Sequence, residues 1–421
     1  MSTKQRSLPG KRVLLSEGSS LSARQTLYAL GGHHTVDVLD PDPICQGRFS
    51  RFVHRFHRCP AYGKDPLGYL EALRKLVRGG DYDVLVPTHE QVYLLAKYRD
   101  ELRQYVGMAL PSFEQLDELQ SKVRFSRLLD QLGLPQPPCR ILTTAQELLE
   151  AEQLPCFVKQ PYSTAGQGVE PVEDREQMQL LIDRWSDQGA WSEGRELLLQ
   201  APGIGVQATA QGVFQHGRLV GFHCFEARAL GVGGMSMARV SATHRDVQSH
   251  LQTLGQHLDW HGAVFLDYFY DADQGPQYIE ANPRIGETVN ATLSGVNLCE
   301  QLIRVSAGEP VEPLPLGRTG VRSHSGFMIL MAAAKEGATR RDLIRESWAC
   351  LTNKGLYRSS EDELTRPRQD WLSLLPATAT TLQLLVHPGR AKRLVNKAVE
   401  NYSLPDAMVR KIQSLQPPTP S

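Results

Sequence analysis

The sequence predicts a multidomain protein in which an open α/β unit is followed by an α+β unit rich in antiparallel sheet and then by a helical C-terminal part. Three observations carry that expectation. Strand-like and helix-like segments alternate over the first hundred residues, short β-rich segments ending in a hairpin dominate the middle, and the pattern turns helical from about Leu316. A chain of 421 residues has room for two or three packed domains.

In chain order, RVLLSEG reads as strand then turn, SARQTLYAL as helix, TVDVLD as strand, GYLEALRKLV as helix and YDVLVPT as strand. This defines a first unit over residues 1–112 with a largely parallel, nucleotide-fold-like (Rossmann-like) sheet. Helical patterns at SFEQLDELQ and SKVRFSRLLDQLG open a second unit, residues 113–315, and the prolines of GLPQPP stop the second helix. Its short strands include PCFVKQP, ELLLQAP, QATAQGVF and RLVGFHCF, and it divides into a small lobe of about 113–197 and a large lobe of about 198–315. Residues 316–421 contain the helical segments FMILMAAAKEG, RRDLIRESWACL and RAKRLVNKAVENY and end in a proline-rich QPPTPS expected to be disordered.

Lysine plus arginine and aspartate plus glutamate both total 46, so no bulk charge draws the chain to nucleic acid or to an anionic membrane, and a small-molecule substrate is expected. The seven cysteines are scattered without a CxxC pair, which predicts reduced thiols and a cytoplasmic location. The N-terminal MSTKQRSLPGKR lacks a signal-peptide core, and no apolar run reaches membrane-spanning length. His54, His57 and Cys59 lack a second cluster at ligand spacing, which favours a solvated or core-facing segment over a metal site.

In FVKQPYSTAGQGV, Lys159 sits on a strand, followed by Ser163, Thr164, Gly166 and Gly168. Glycines let backbone N–H groups close on an anion, and the lysine supplies a compact positive charge. The loop is neither a P-loop nor a GxGxxG turn, and an ordinary hairpin turn also accounts for it.

The sharper pattern is AVFLDYFYDADQGPQYIEANPR. A turn centred on Asp273 and Gln274 sets Asp267 opposite Glu280, and the two-residue strand period puts Asn282 on the same face. Opposed carboxylates destabilise a sheet unless a hard cation such as magnesium offsets them. Arg284, just beyond the proline, is placed to hold a transferring phosphoryl group.

Taken together, FVKQPYSTAGQGV and IEANPRIGETVNATLSGVNL resemble the ATP-grasp superfamily, particularly its carboxylate-amine ligases and the ATP-binding domains of carbamoyl phosphate synthetase and biotin carboxylase. The resemblance runs from about Phe113 to Val311, and both motifs occur in the family's order. It implies an ATP-grasp fold preceded by a Rossmann-like pre-ATP-grasp domain, with ATP and Mg2+ (or Mn2+) as cofactors. It nominates Lys122, in SKVRFSRLLDQLG, and Lys159 as ATP contacts, together with the loop residues Ser163, Thr164, Gly166 and Gly168. Asp267, Glu280 and Asn282 fall where magnesium ligands are expected, and Arg284 and Asn282 where catalytic groups are. In FHCFEARALGVGGMSMARV, Arg228 is a candidate catalytic contact to substrate or phosphate and Arg239 a candidate cofactor contact. The adenine hinge departs from the family pattern: ELLLQAPGIG offers Gln200 and Ala201 where an acidic residue is usual, and Pro202 has no N–H.

The implied reaction is ligation. ATP converts a small-molecule carboxylate to an acyl phosphate, and an amine-type acceptor takes the acyl group, with ADP and phosphate released. A carboxylase or kinase, or a nucleotide-binding regulator without catalysis, is the alternative. Homodimers are common in enzymes of this kind. Near the N-terminus, Gly18 and Ser19 allow two readings, an anion site at a helix N-terminus or a plain capped turn, and Glu90 has the same ambiguity.

Overall fold

In the computed structural model, which describes residues 10–163, 166, 168–187, 189, 191, 194–391 and 403–417, the strands form three sheets. Thr164, most of RAKRLVNKAVENY and the last four residues of QPPTPS lie outside the described residues.

The first sheet, in order β3-β2-β1-β4, consists of β1 (Arg12–Leu15), β2 (Thr35–Asp40), β3 (Val53–Arg58) and β4 (Val84–Val86). Every neighbouring pair in it is parallel. Parallel strands need crossovers, and the helices Leu21–Leu30 and Pro66–Arg78 supply two of them. The first starts where Ser20 Oγ accepts from the Ala23 N–H, and stops at Gly31, whose φ of 55° is a left-handed cap that a side chain disfavours.

Two helices, Phe113–Gln120 and Lys122–Leu132, lead into the second unit. A Ser112/Gln115 capping box begins the first, Ser121 caps the second, and Lys122 is thereby fixed at the first position of its helix. A small antiparallel sheet follows in the order β5-β8-β6-β7, built from β5 (Cys139–Leu142), β6 (Cys156–Lys159), β7 (Val169–Val172) and β8 (Leu197–Gln200). The amphipathic helix Arg175–Asp187 covers it, burying Met178, Leu181, Ile182 and Trp185 against Val158, Leu197 and Leu199.

The large sheet runs β13-β12-β9-β10-β11-β14-β15. Its members are β9 (Val206–Gln215), β10 (Arg218–Leu230), β11 (Ser236–Ala242), β12 (Gly262–Asp271), β13 (Gly275–Asn282), β14 (Arg322–His324) and β15 (Ser360–Asp362). The helix Leu298–Ser306 joins the first sheet to the large one: Leu298, Leu302, Ile303 and Val305 pack in one core with Val13, Leu15 and Val84 of the former and Val213, Val220 and Ala263 of the latter. Emptying such a site, for example by Leu302→Ala, removes about 2–5 kcal/mol.

The C-terminal part contains the expected helices Gly326–Lys335 and Arg340–Leu351, and it also extends the large sheet with β14 and β15. Each of those strands has only three residues, too few to show a period. Buried ion pairs bind this part to the rest. Arg24 Nη2 lies 2.9 Å from Asp370 Oδ2, and Glu363 accepts from Gln25 (2.9 Å), Arg239 (2.6 Å), Ser323 (2.6 Å) and Ser325 (3.0 Å). The helix Asp406–Ser414 packs on the helix Gln91–Lys97, burying Val409 and Ile412 in the main core. Among the described residues no helix is long and apolar enough to cross a membrane.

Candidate active site

The hairpin of β12 and β13 brings the acidic residues together by a route that differs from the expected one. Its turn is closed by Asp271 opposite Gly275, and Asp271 Oδ1 accepts from the N–H groups of Asp273 (2.9 Å) and Gln274 (3.1 Å). Gly275 has φ 78°, so the three-residue loop 272–274 replaces the two-residue turn on Asp273 and Gln274. On that register Asp267 would face Ile279. A bulge at Ile279 restores the pairing of Asp267 with Glu280, and Phe265 then pairs with Asn282.

Asp267 also receives the Thr209 hydroxyl from the neighbouring β9 at 2.7 Å, and Asn282 Nδ2 lies 3.3 Å from its other oxygen. Burial, reinforced by the Glu280 charge, pushes the Asp267 carboxyl up to about 7. Burial works on Glu280 in the same direction, but Lys122, Lys159 and Arg284 outweigh it and hold Glu280 below its ordinary value.

The two lysines arrive from different elements. Lys122, at the start of its helix, places Nζ 2.9 Å from Glu280 Oε1 and donates to Ser163 Oγ at 3.0 Å. Lys159, at the end of β6, donates to Gln200 Oε1 at 2.6 Å and to the carbonyl of the bulged Ile279 at 3.4 Å. Burial lowers the Lys159 ammonium to about 8, against the opposing pull of Glu280. Gln200 thus spends its side-chain oxygen on a lysine, and the Ala201 N–H is already given to the Pro138 carbonyl at 2.8 Å.

After Ser163, Gly166 and Gly168 adopt φ of 75° and 78°, and the Gly168 carbonyl accepts from the Gln160 N–H at 2.8 Å. A Cβ on Gly168 would press on the Gln160 side chain at 3.1 Å, so this loop requires glycine on both counts. Tyr162 packs its hydroxyl 2.8 Å from Asp117, which also binds Tyr93 (2.5 Å), Arg124 (2.8 Å) and Gln413 of the C-terminal helix (3.3 Å).

Arg284 lies 3.2 Å from Glu90 Oε1 and 3.3 Å from Asn282 Oδ1, with its guanidinium over the Phe265 ring. Glu90 also accepts from Gln120 at 3.1 Å. This pair ties the end of the hairpin to the first sheet. Arg228 is exposed near the end of β10. Arg239 is buried between Glu363, Glu287 and the Ser236 carbonyl. The structure therefore gathers Lys122, Lys159, Ser163, Gln200, Asp267, Glu280, Asn282 and Arg284 in one continuous set of contacts, while Arg239, on β11, is engaged by Glu363 and by Glu287, whose charge also acts on Asp267.

Two acidic residues without a motif, Glu17 and Asp40, are present at the N-terminal turn. The Gly18 N–H donates to Asp40 at 2.8 Å, and the Ser19 N–H to Glu17 at 2.6 Å, so both are already used within the chain. Thr209 was also silent in the sequence, since only sheet pairing brings it beside Asp267. His54 and His57 each lie 3.1 Å from Asp37, and burial drives the Cys59 thiol up to about 12. Among the described residues no group of three histidine, cysteine, aspartate or glutamate side chains could hold a metal ion.

No family model matches the chain. The carbamoyl phosphate synthase large chain of Thermomicrobium roseum is 27% identical over 213 residues, covering 46% of this chain and 19% of that one. Its counterpart in Clostridium acetobutylicum is 23% identical over 229 residues, covering 49% and 20%. The match thus spans about a fifth of the length of these relatives. Among solved structures, the biotin carboxylase domain of the Hydrogenobacter thermophilus 2-oxoglutarate carboxylase, crystallised with MgADP, ADP and bicarbonate, superposes with a TM-score of 0.60 at 14% identity over 75% of this chain and 74% of that one. An ADP complex of N5-carboxyaminoimidazole ribonucleotide synthetase gives 0.59 at 15% over 78% and 85%. The L-amino acid ligase of Bacillus licheniformis gives 0.54 at 16% over 72% and 76%. At these identities the likeness is one of fold.

Proposed function

Since this chain has the fold of the ATP-grasp superfamily, we propose that it is an ATP-dependent ligase, activating a small-molecule carboxylate as an acyl phosphate and passing the acyl group to an amine-type acceptor. The observation that carries the reading is the pairing of Asp267 with Glu280, flanked by Asn282, Lys122, Lys159 and Arg284. Two acids and an amide are a small protein donor set. That suits magnesium, which keeps several waters and shares its remaining positions with substrate phosphates. Burial and then the Glu280 charge raise the Asp267 carboxyl, and a divalent ion would relieve the like-charge part. Asp267, Glu280 and Asn282 are the residues that would hold the ion, whose chemistry is to neutralise phosphate charge.

The chain's own groups have separable tasks in this reading. Lys122 and Lys159 hold the nucleotide's phosphates, with the glycines of the 163–168 loop admitting them closely. Arg284, braced by Glu90, steadies the acyl phosphate, whose phosphate is a far better leaving group than oxide. Gln200 orients Lys159, and Ala201, whose N–H is given to Pro138, meets the adenine through its carbonyl. Arg228, Arg239 and Thr164 remain candidate contacts of lower rank. The same reading takes residues 1–112 as a Rossmann-like pre-ATP-grasp domain, which the sheet order β3-β2-β1-β4 supports, 113–315 as the ATP-grasp unit, and 316–421 as a mainly helical addition in a cytoplasmic protein.

The test is an ADP-release screen over carboxylic acids paired with amines, followed by mass spectrometry of the products. A condensed product with stoichiometric ADP supports a ligase. ADP with a phosphorylated acceptor, or with carboxylation from bicarbonate, replaces it with a kinase or a carboxylase.

A further inference from the structure

The outer edge of the first sheet carries a charge that the reaction above leaves without a role. Acidic and basic residues balance over the whole chain, yet no acidic residue stands between Asp42 and Asp65, a stretch that holds Arg48, Arg51, Arg55 and Arg58 together with His54 and His57. It folds as a short helical turn, Gln46–Phe49, followed by β3, the terminal strand in the order β3-β2-β1-β4. Backbone groups alternate in direction along a strand, so those of β3 that turn away from β2 meet no other strand among the described residues.

Basic side chains stand on both faces of this edge. Pairing with β2 skips His54 and then sets Arg55 beside Asp37, Phe56 beside Val38, His57 beside Leu39 and Arg58 beside Asp40. Arg55 and His57 therefore share one face, where His54 and His57 each lie 3.1 Å from Asp37 and the Tyr82 hydroxyl donates to it at 2.6 Å. Phe56 and Arg58 take the other, with the Arg48 guanidinium 4.9 Å from the centre of the Phe56 ring. The two acids of β2 are already supplied, Asp37 by those three side chains and Asp40 by the N–H groups of Gly18 and Asp42 at 2.8 Å. Arg51, Arg55 and Arg58 are exposed, and among the described residues their side chains make no ion pair or hydrogen bond.

Charged side chains on an edge strand deter chance pairing with other chains, and they do so by repelling like charge. The same row admits a segment of opposite charge. A membrane surface meets one face of a sheet edge and leaves the cations of the other face unused, and nucleic acid has no peptide ladder to offer the strand. An added strand sets successive side chains on alternate faces and meets both. We infer that the outer edge of β3 is a docking site for an extended acidic segment of a partner protein, which joins the first sheet through main-chain hydrogen bonds while its carboxylates pair with Arg51, Arg55 and Arg58. β3 has six residues, so the docked segment spans about 20 Å. The docking stands apart from the ligase reading, since Asp267 and Glu280 belong to a different sheet.

Fluorescence anisotropy of the full chain with dye-labelled hexaglutamate, joined to amide hydrogen exchange of the same complex, tests the charge and the pairing separately. Hexaglutamate is expected to bind at low ionic strength and to slow exchange of the outward-facing amides between His54 and Arg58. Its affinity is expected to fall about threefold in Arg55→Ala or Arg58→Ala and about tenfold or more in the double variant. Both arginines are exposed and unpaired, so the variants should keep the circular dichroism spectrum and the ADP release of the unaltered protein. Hexaglutamate methylated on every backbone nitrogen keeps its carboxylates and loses its donors, and is expected to bind about tenfold or more weakly. No binding of hexaglutamate, binding that the double variant leaves unchanged, equal binding of the methylated peptide, or binding without protection of β3 overturns the proposal. Tighter binding of hexathymidylate or of phosphatidylserine vesicles, lost in the same double variant, also overturns it and assigns the arginines to nucleic acid or to a membrane.

Discussion

Lys159 Nζ lies 3.4 Å from the carbonyl of Ile279, the residue bulged out between the Tyr268–Tyr278 and Asp267–Glu280 pairs. Continued without the bulge, the ladder would set Glu280 opposite Leu266 and on the other face from Asp267. The bulge therefore keeps the two acids together and presents its carbonyl to the lysine.

Glu280→Gln keeps the shape of the side chain and removes the charge that Lys122 neutralises. Substrate-dependent ADP release should fall by about 100-fold or more, with the circular dichroism spectrum unchanged. Wild-type-like turnover in that variant would remove Glu280 from the chemistry.

Arg284→Ala leaves Glu90, only 2% exposed, as a buried charge without its cation. A loss of about 3–5 kcal/mol in chemical denaturation is expected, alongside loss of activity. Adding Glu90→Gln to Arg284→Ala should restore much of the stability and none of the activity. Recovery of both would show that Arg284 acts only on the fold.

Asp267 and Asp40 are each raised from 3.8 to about 7. The folded state therefore binds more protons than the unfolded state between those values, and stability declines as pH rises from about 4 to 7. In chelator-treated protein each group should contribute up to about 4 kcal/mol to that decline, read from denaturation midpoints. Magnesium should reduce the Asp267 share and leave the Asp40 share untouched. A flat profile across this range would contradict both burials.

Lys159 is lowered from 10.5 to about 8, so in the free protein its charge fades as pH rises through 8. ATP affinity should weaken across the same interval. Gln200→Glu sets a carboxylate where an amide oxygen now stands 2.6 Å from Nζ, and should move the loss of affinity about one unit or more upward. An unmoved profile would mean that another group controls it.

Gln413 reaches Tyr93, Asp117 and Tyr162, directly before the glycine-rich loop. Gln413→Ala should cost about 1 kcal/mol and raise KM for ATP more than it lowers kcat. An effect on kcat alone would separate the C-terminal helix from the nucleotide site.

Much of this was legible in the sequence where the determinants are local. The alternation in AVFLDYFYD and YIEANP set the faces, and the helical pattern of SKVRFSRLLDQLG placed Lys122 on a helix, which the structure starts at that residue. The acidic pair was correctly matched from an incorrect turn, because the three-residue loop and the bulge offset one another and neither has a distinctive signature. Residues joined only by crossovers stayed unreadable. Glu17 and Asp40 meet because β1 and β2 are parallel neighbours, and the carboxylate that holds Arg239, Glu363, is 124 positions further along.

The pair of Arg24 and Asp370 spans 346 positions, and both side chains are wholly enclosed. During synthesis the first helix leaves the ribosome long before its counter-ion exists. Burying the guanidinium before then would leave it without its counter-ion, which disfavours closure of the first sheet's outer layer while the second unit is made. A product terminated anywhere ahead of Asp370 would keep that layer exposed, making it a natural target for chaperones and proteases.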